Sequence, residues 1–410
     1  MSTPAREAKW KNFAAKPGKS VATRAYTHAM HRGEGRAVKR FICILLFLLF
    51  LPMGAGSCAS EELSVAAKGA VLIDAKSGRV LFGQNENERF PMASTTKIMT
   101  ALLALENCSL DEEVTASENA SGVPGTSIYL GVGETLTMEE MLYGLLLRSG
   151  NDAAVAIAEH VSGSVEAFAA RMNARAAELG ADAHFVNPHG LDADGHEASA
   201  LALARIFRQA MQNGDFRRIT GTKKTTIPWV GNDFSRVLVS KNRLLTTYAG
   251  ATGGKTGYTS DAGRCLVFSA ERGGMELIGA VLSCPNWFAE AERMLDWGFE
   301  NYHLEMPLSA GETACEAAVE GGMAGTVAAV AERDLAAAVG EEETWRVEYD
   351  FPGGVRAPLA KGEVIGTATL YIEGEAAAET PLLAGEDVER RDLWSALKRL
   401  LTHWIALFAT

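Results

Sequence analysis

Apolar positions change their spacing along the chain, and each spacing predicts an element. Short apolar runs at Ala70-Val-Leu-Ile-Asp74 and Arg79-Val-Leu-Phe82 predict two strands around the turn Ala75-Lys-Ser-Gly78. From Ala93-Ser94 the pattern becomes helical through Glu106, with Ser94 or Thr95 near the N-cap. Helices are also expected at Leu136–Leu147 and Ala153–Val161, flanking the loop Arg148-Ser-Gly-Asn-Asp152. Val165, Phe168, Met172, Ala176 and Leu179 recur at helical steps, and Gly180 closes that helix. Phe185–Asp192 is a turn-rich loop, followed by a helix near Ser199–Met211. Strands resume at Gly254–Thr259, Leu266–Ala270 and Met275–Ser283, and a helix is expected near Pro285–Phe299. Helices around a mostly antiparallel sheet make an α+β arrangement.

After about Leu304 the texture changes to short strands punctuated by Gly and Pro, from Trp345-Arg-Val-Glu-Tyr349 to Pro381-Leu-Leu383. This reads as a small all-β domain over 304–388, in which the Ala-rich section 313–339 is the least legible. The end differs again. Trp394, Leu397, Leu401, Trp404 and Phe408 recur at steps of three and four, opposite Ser395, Lys398, Arg399 and Thr402. An apolar face with two Trp and a basic opposite face over 389–410 suits an amphipathic helix lying in a membrane surface.

The start reads as a targeting segment over 1–58. A basic arm runs into the apolar stretch Phe41–Met53 and the small residues Gly54-Ala-Gly-Ser-Cys-Ala-Ser60. That stretch falls short of the ~20 residues that span a bilayer. Met30 opens a more ordinary signal and is a second candidate start, and cleavage after Ser57 or Ala59 fits a small-x-small rule.

Charge sharpens this division. The chain carries 39 Lys+Arg and 51 Asp+Glu, a net −12, but ten of the bases and only two of the acids precede Cys58. The remainder is strongly acidic, which argues against affinity for a nucleic-acid backbone. Six Cys in 410 residues are too few for a disulfide scaffold. A hairpin register placing Cys265 opposite Ala280 leaves Cys284 out of bridging reach. No Cys has the spacing of a metal site, so neither metal nor cofactor is expected.

Three short motifs carry the chemistry. Ser94-Thr-Thr-Lys97 places a hydroxyl and an amine on one face of a helix start. A serine needs an adjacent base, and a lysine serves as one when burial or a nearby cation lowers its pKa. Ser149-Gly-Asn151 can put a hydroxyl and an amide at a cleft edge, and Lys255-Thr-Gly257 lies on a strand. Each motif has decoys: Ser395-Ala-Leu-Lys398, Ser117-Glu-Asn119, Ser240-Lys-Asn242 and Lys76-Ser-Gly78. The ordered set discriminates: helix start, loop between helices, strand.

That set, with Phe90-Pro-Met-Ala-Ser-Thr-Thr-Lys-Ile-Met99, Asn187-Pro-His-Gly-Leu-Asp192 and Gly254-Lys-Thr-Gly-Tyr-Thr259, resembles the low-molecular-weight penicillin-binding proteins, the serine-type D-Ala-D-Ala carboxypeptidases. The resemblance covers roughly 63–303, and Ala357–Val388 looks like the end of that family's β domain. It implies a β-lactamase/transpeptidase-like catalytic domain over 59–303, followed by the small β domain. It also implies Ser94 as nucleophile, Lys97 as general base and Ser149 as proton relay. Asn151 is then expected to bind the substrate backbone, and Lys255 and Thr256 its terminal carboxylate. Gly257 and Tyr258 complete that strand, with the backbone N–H groups of Ser94 and Tyr258 as oxyanion hole. The implied partners are a peptidoglycan stem ending in D-Ala-D-Ala and β-lactams as covalent inhibitors, at the outer face of the cytoplasmic membrane. One departure is Ser199-Ala-Leu-Ala202, where the family usually has an acid; a local structural effect is expected.

Other readings fare worse. Gly250-Ala-Thr-Gly-Gly-Lys-Thr256 is one residue short of a phosphate loop, and neither a Gly-x-Ser-x-Gly elbow nor His-Glu-x-x-His occurs. His184, His189, His196, Asp192 and Asp194 form a cluster read as a structured loop rather than a metal site. A class A β-lactamase needs a deacylating Glu-x-x-Leu-Asn, and none lies between Asn151 and Lys255. A non-catalytic peptidoglycan-binding module is the third alternative.

Overall fold

The computed structural model describes residues 63–392 together with Trp394 and Leu397. The targeting segment and nearly all of the terminal helix expected from the sequence lie outside the described residues. Five antiparallel strands form the central sheet: β1 Gly69–Asp74, β2 Val80–Gln84, β3 Ala251–Thr259, β4 Gly263–Arg272 and β5 Met275–Leu282, in the order β3-β4-β5-β1-β2. Every residue of β1 and β5 is buried, yet the period-two rule still sorts them. Val71, Ile73, Val267, Ile278 and Ala280 face a large helical core. Ala70, Leu72, Leu266, Phe268 and Leu277 face a second core. The helical core contains α1 Lys97–Asn107, α2 Met138–Tyr143, α3 Asn151–Ser162, α4 Val165–Glu178 and α5 Ala200–Met211; α6 Trp287–Asn301 covers the second. This part is thus a sheet between two helical layers.

Three local expectations are corrected. The helix expected over Leu136–Leu147 begins at Met138, because Thr135–Thr137 pairs as a strand with Glu113–Thr115 and Thr137 forms a capping box with Glu140. Its end, Gly144–Arg148, winds as a π-turn. The β4–β5 register pairs Arg272 with Met275 and Leu266 with Val281 around Gly273-Gly274, two residues from the register expected. Cys265 and Cys284 are nonetheless free, their thiols pushed up by burial to about 12 and about 11. Finally, Ser94 and Thr95 do not cap α1. Ala93–Thr96 is a 3₁₀ turn running into it, and neither it nor α1 has a side-chain N-cap.

The all-β part comprises β6 Tyr302–Leu308, β7 Thr313–Glu320, β8 Thr326–Ala331, β9 Leu335–Gly340, β10 Trp345–Asp350, β11 Val355–Arg356, β12 Val364–Ile372 and β13 Glu375–Ala384. They form a six-stranded sheet, β10-β12-β13-β8-β7-β11, beside the β6–β9 pair, around a core of their own. The Ala-rich section proves to be β7, β8 and β9. Bridges from Val388 to Leu359 and from Arg390 to Gly322 tie the following chain to this part.

The two parts meet at the β1–β2 turn. The buried Asp74 carboxylate accepts from Lys76 N, Ser77 N and Ser77 Oγ (3.2, 3.0 and 2.5 Å) and, across the joint, from Ala338 N at 3.2 Å. Arg79 donates to Ala338 O (2.9 Å) and Glu343 (2.8 Å), and Lys76 pairs with Asp334 at 2.9 Å.

Candidate active site

The 3₁₀ turn places Ser94 and Lys97 on one face, as i and i+3. Lys97 is fully buried, and its Nζ lies 3.0 Å from Ser94 Oγ. It also donates to Asn151 Oδ1 at 2.7 Å and to His189 O. The Asn151 amide is fixed by its partners: Oδ1 faces the Lys97 donor, and Nδ2 donates to Pro124 O at 2.7 Å. Two of the three contacts of Nζ are therefore carbonyl oxygens, which can only accept. In its neutral form the amine has two N–H bonds for these acceptors and a lone pair available to the Ser94 hydroxyl. Burial, then the nearby positive charges of Lys255 and Lys241, lower the Lys97 pKa well below its ordinary value.

Ser149 follows the π-turn in the left-handed region (φ 65°), an uncommon conformation for a residue with a Cβ. It receives a hydrogen bond from Lys255 Nζ at 3.0 Å, and Lys255 also donates to Thr256 O at 2.6 Å. Lys255 is almost fully buried; burial first, then Lys241, bring its pKa down to about 7. Edge strand β3 carries Lys255, Thr256, Gly257 and Tyr258 past the Ser94 turn. A Cβ on Gly257 would stand 2.9 Å from Ser94 N and 3.1 Å from Met92 O, so only glycine allows this approach. Gly190 is tighter still: at φ 87° its Cβ would lie 2.0 Å from Ala93 O. Thr256 is buried, while the Tyr258 side chain is exposed.

The eight site residues expected from the sequence therefore gather in one place. Of the decoys, Ser240-Lys-Asn242 borders them, with Asn242 Nδ2 donating to Gly253 O at 3.1 Å, two others lie elsewhere, and Ser395 and Lys398 are outside the described residues. Ser117 caps Glu118–Ser121 and donates to Glu159, and Lys76 belongs to the domain joint. Asn151 differs in detail, since its amide already engages Lys97 and Pro124.

Two family models match the chain. The Peptidase S11 family model, described as D-alanyl-D-alanine carboxypeptidase, matches residues 56–286, and the penicillin-binding protein 5 C-terminal domain model matches 302–390. The chain belongs to the D-alanyl-D-alanine carboxypeptidase family. DacF of Bacillus subtilis, a D-alanyl-D-alanine carboxypeptidase, is 35% identical over 386 residues, 90% of this chain and 99% of its own. DacA of Escherichia coli is 30% identical, covering 83% and 89% respectively. The crystal structure of penicillin binding protein 5 from Haemophilus influenzae superposes with a TM-score of 0.68 at 30% identity, covering 80% of this chain and 99% of that one.

In this carboxypeptidase several supporting groups carry no motif of their own. Lys241 adds a third cation whose charge acts on Lys97 and Lys255. Asp152, fully buried at the start of α3, accepts from Ile128 N, Leu130 N, Ala153 N and Ser127 Oγ, fixing the 127–130 loop beside Asn151. The histidine loop is structural in the way its sequence suggests. His196 Nδ1 accepts from Val186 N at 2.9 Å, so Nε2 carries the proton and donates to Thr96 Oγ1 at 2.8 Å. Thr96 Oγ1 in turn donates to Ala93 O. Burial brings the pKa of His196 down to about 4 and that of His189 to about 3. Ser199, in the acid-lacking stretch, caps α5 by accepting from Ala202 N at 3.0 Å.

Proposed function

We propose that Ser94 is the nucleophile with which this penicillin-binding D-Ala-D-Ala carboxypeptidase removes the terminal D-Ala from peptidoglycan stem peptides. The observation that carries the assignment is the buried Lys97 amine, held by two carbonyl acceptors with its Nζ 3.0 Å from Ser94 Oγ. Ser94 Oγ attacks the carbonyl carbon of the penultimate D-Ala while its proton passes to Lys97 Nζ. The oxyanion meets the N–H groups of Ser94 and Tyr258, brought close by the contact at Gly257; such donors contribute ~3 kcal/mol each. Charged Lys255 and the Thr256 hydroxyl hold the terminal carboxylate. Ser149, hydrogen-bonded to Lys255, relays a proton to the departing amine as the C–N bond breaks. Water then hydrolyses the Ser94 ester. A β-lactam enters by the same attack, and slow hydrolysis of its ester is expected from a sequence without a Glu-x-x-Leu-Asn stretch between Asn151 and Lys255.

The reading further places the chain in the bacterial envelope, exported by residues 1–58 and held to the membrane surface by 389–410. The exposure of Trp394 (76%) and Leu397 (47%), three residues apart, supports a face left free for an external surface. No helix among the described residues is long and apolar enough to cross a membrane.

Release of D-Ala from a pentapeptide and covalent labelling by a fluorescent penicillin test the assignment together. Both are expected in the parent and absent in Ser94→Ala, with labelling also lost in Lys97→Ala. Labelling that survives Ser94→Ala refutes the nucleophile, and rapid multiple turnover of benzylpenicillin refutes the slow ester.

A further inference from the structure

Away from the cleft, Cys108, Glu112 and His160 bring a thiol, a carboxylate and an imidazole together, one donor atom of each within 4.8 Å of the others. Cys108 is the residue that ends α1. Glu112 sits in the turn that follows, its Oε1 accepting from Ser109 N at 2.7 Å, and His160 lies in the last turn of α3. Glu112 Oε2 and His160 Nε2 are 3.2 Å apart.

We propose that these three side chains bind a zinc ion, with solvent in the fourth position. Sulfur, imidazole nitrogen and carboxylate oxygen are the donors zinc takes, at about 2.0–2.3 Å each, which puts ligand atoms about 3–4 Å apart. The three donors already lie near that spacing at the surface, where small side-chain rotations close the remainder. The backbone favours a cation as well. α1 and α3 both end here, and a helix C-terminus carries partial negative charge. Arg171 offsets part of it, donating to Asn107 Oδ1 and to Val161 O at 3.1 Å, contacts made outside the three donor atoms.

The position gives the ion a role. α1 starts at Lys97 and α3 at Asn151, hydrogen-bonded at 2.7 Å in the cleft. Their other ends carry Cys108 and His160. The two helices run in the same direction, joined at one end by Lys97–Asn151 and at the other by the metal. The ion is thus a clamp on the helix pair that positions Lys97, and the site stands whether or not the catalytic assignments do.

Cobalt and zinc titrations of the purified full chain, stripped with a chelator, test this. Cobalt is expected to give a thiolate-to-metal charge-transfer band that zinc bleaches, and zinc to raise Tm. Cys108→Ser should abolish the band, and His160→Gln the rise in Tm, with the far-ultraviolet circular dichroism of the parent retained. If Cys108→Ser does not fold, alkylation of Cys108 in the parent chain, followed by peptide mass spectrometry, should slow about tenfold or more with zinc. A band that survives Cys108→Ser, or a Tm and an alkylation rate indifferent to zinc, overturns the site.

Discussion

The Lys97 amine works by what surrounds it, and its neighbours can be tested one at a time. Asn151→Asp puts a negative charge where a neutral carbonyl stood, 2.7 Å from Nζ, and holds the proton on Lys97. Acylation by penicillin at neutral pH is expected to fall about 10²-fold or more, with the acid limb of the rate profile moving to higher pH. Lys255 titrates in the opposite sense for activity. It is charged below about pH 7 and loses its charge above that, so kcat/KM for a peptide with a free carboxylate should decline on the alkaline side. Lys255→Arg, whose cation does not titrate, should lack that limb at whatever rate it retains. The motifs made Ser94, Lys97, Ser149 and Lys255 legible because each needs a particular functional group at a fixed spacing. They were silent on the His189 carbonyl, since every residue has one and only the fold says which points at Nζ. Lys241 escaped for a similar reason: a charge acting through space leaves no mark in local spacing.

Among the elements, the 3₁₀ turn decides most. It is held from below by Gly190 and His196 and from the side by β3. Gly190→Ala forces a Cβ into Ala93 O and should cost on the order of 3 kcal/mol, seen as a lower Tm together with lost penicillin labelling. His196 adds a pH dependence. Its pKa is about 4 when folded and near 6.5 when unfolded, so the unfolded chain binds the extra proton between those values. Stability should therefore fall as pH drops from 6.5 to about 4, by on the order of 3 kcal/mol from this group. In His196→Gln the unfolding free energy should depend less on pH across that window. Helices with a clear period, such as α4 and α5, were legible to within a residue or two. The turn before α1 and the π-turn before Ser149 were not, because the first is set by contacts with β3 and the histidine loop and the second by packing on Ile128 and a hydrogen bond from Lys241 N to Leu147 O at 3.2 Å. The Ala-rich strands β7–β9 hid for another reason: alanine favours helix intrinsically, and only pairing with neighbouring strands overrides it.

For the molecule as a whole, the segments at its two ends account for the charge pattern. Beyond Cys58 the chain has 29 bases and 49 acids, so a membrane with anionic lipids repels its bulk, and the anchoring proposed for 389–410 has to overcome that repulsion. Removing 391–410 should release the protein from the membrane fraction while leaving penicillin labelling intact. Retention of the shortened chain on the membrane would refute that anchor. Between the ends, the joint at Asp74 has a mechanical meaning. One carboxylate closes the β1–β2 turn and also receives Ala338 N, so the turn cannot shift without moving the β domain with it. Arg79 and Lys76 brace the same corner from either side. The β domain is a lever without a hinge, fixed to a strand inside the catalytic sheet. Whatever holds its far end sets not only how high the cleft stands but also which way it faces.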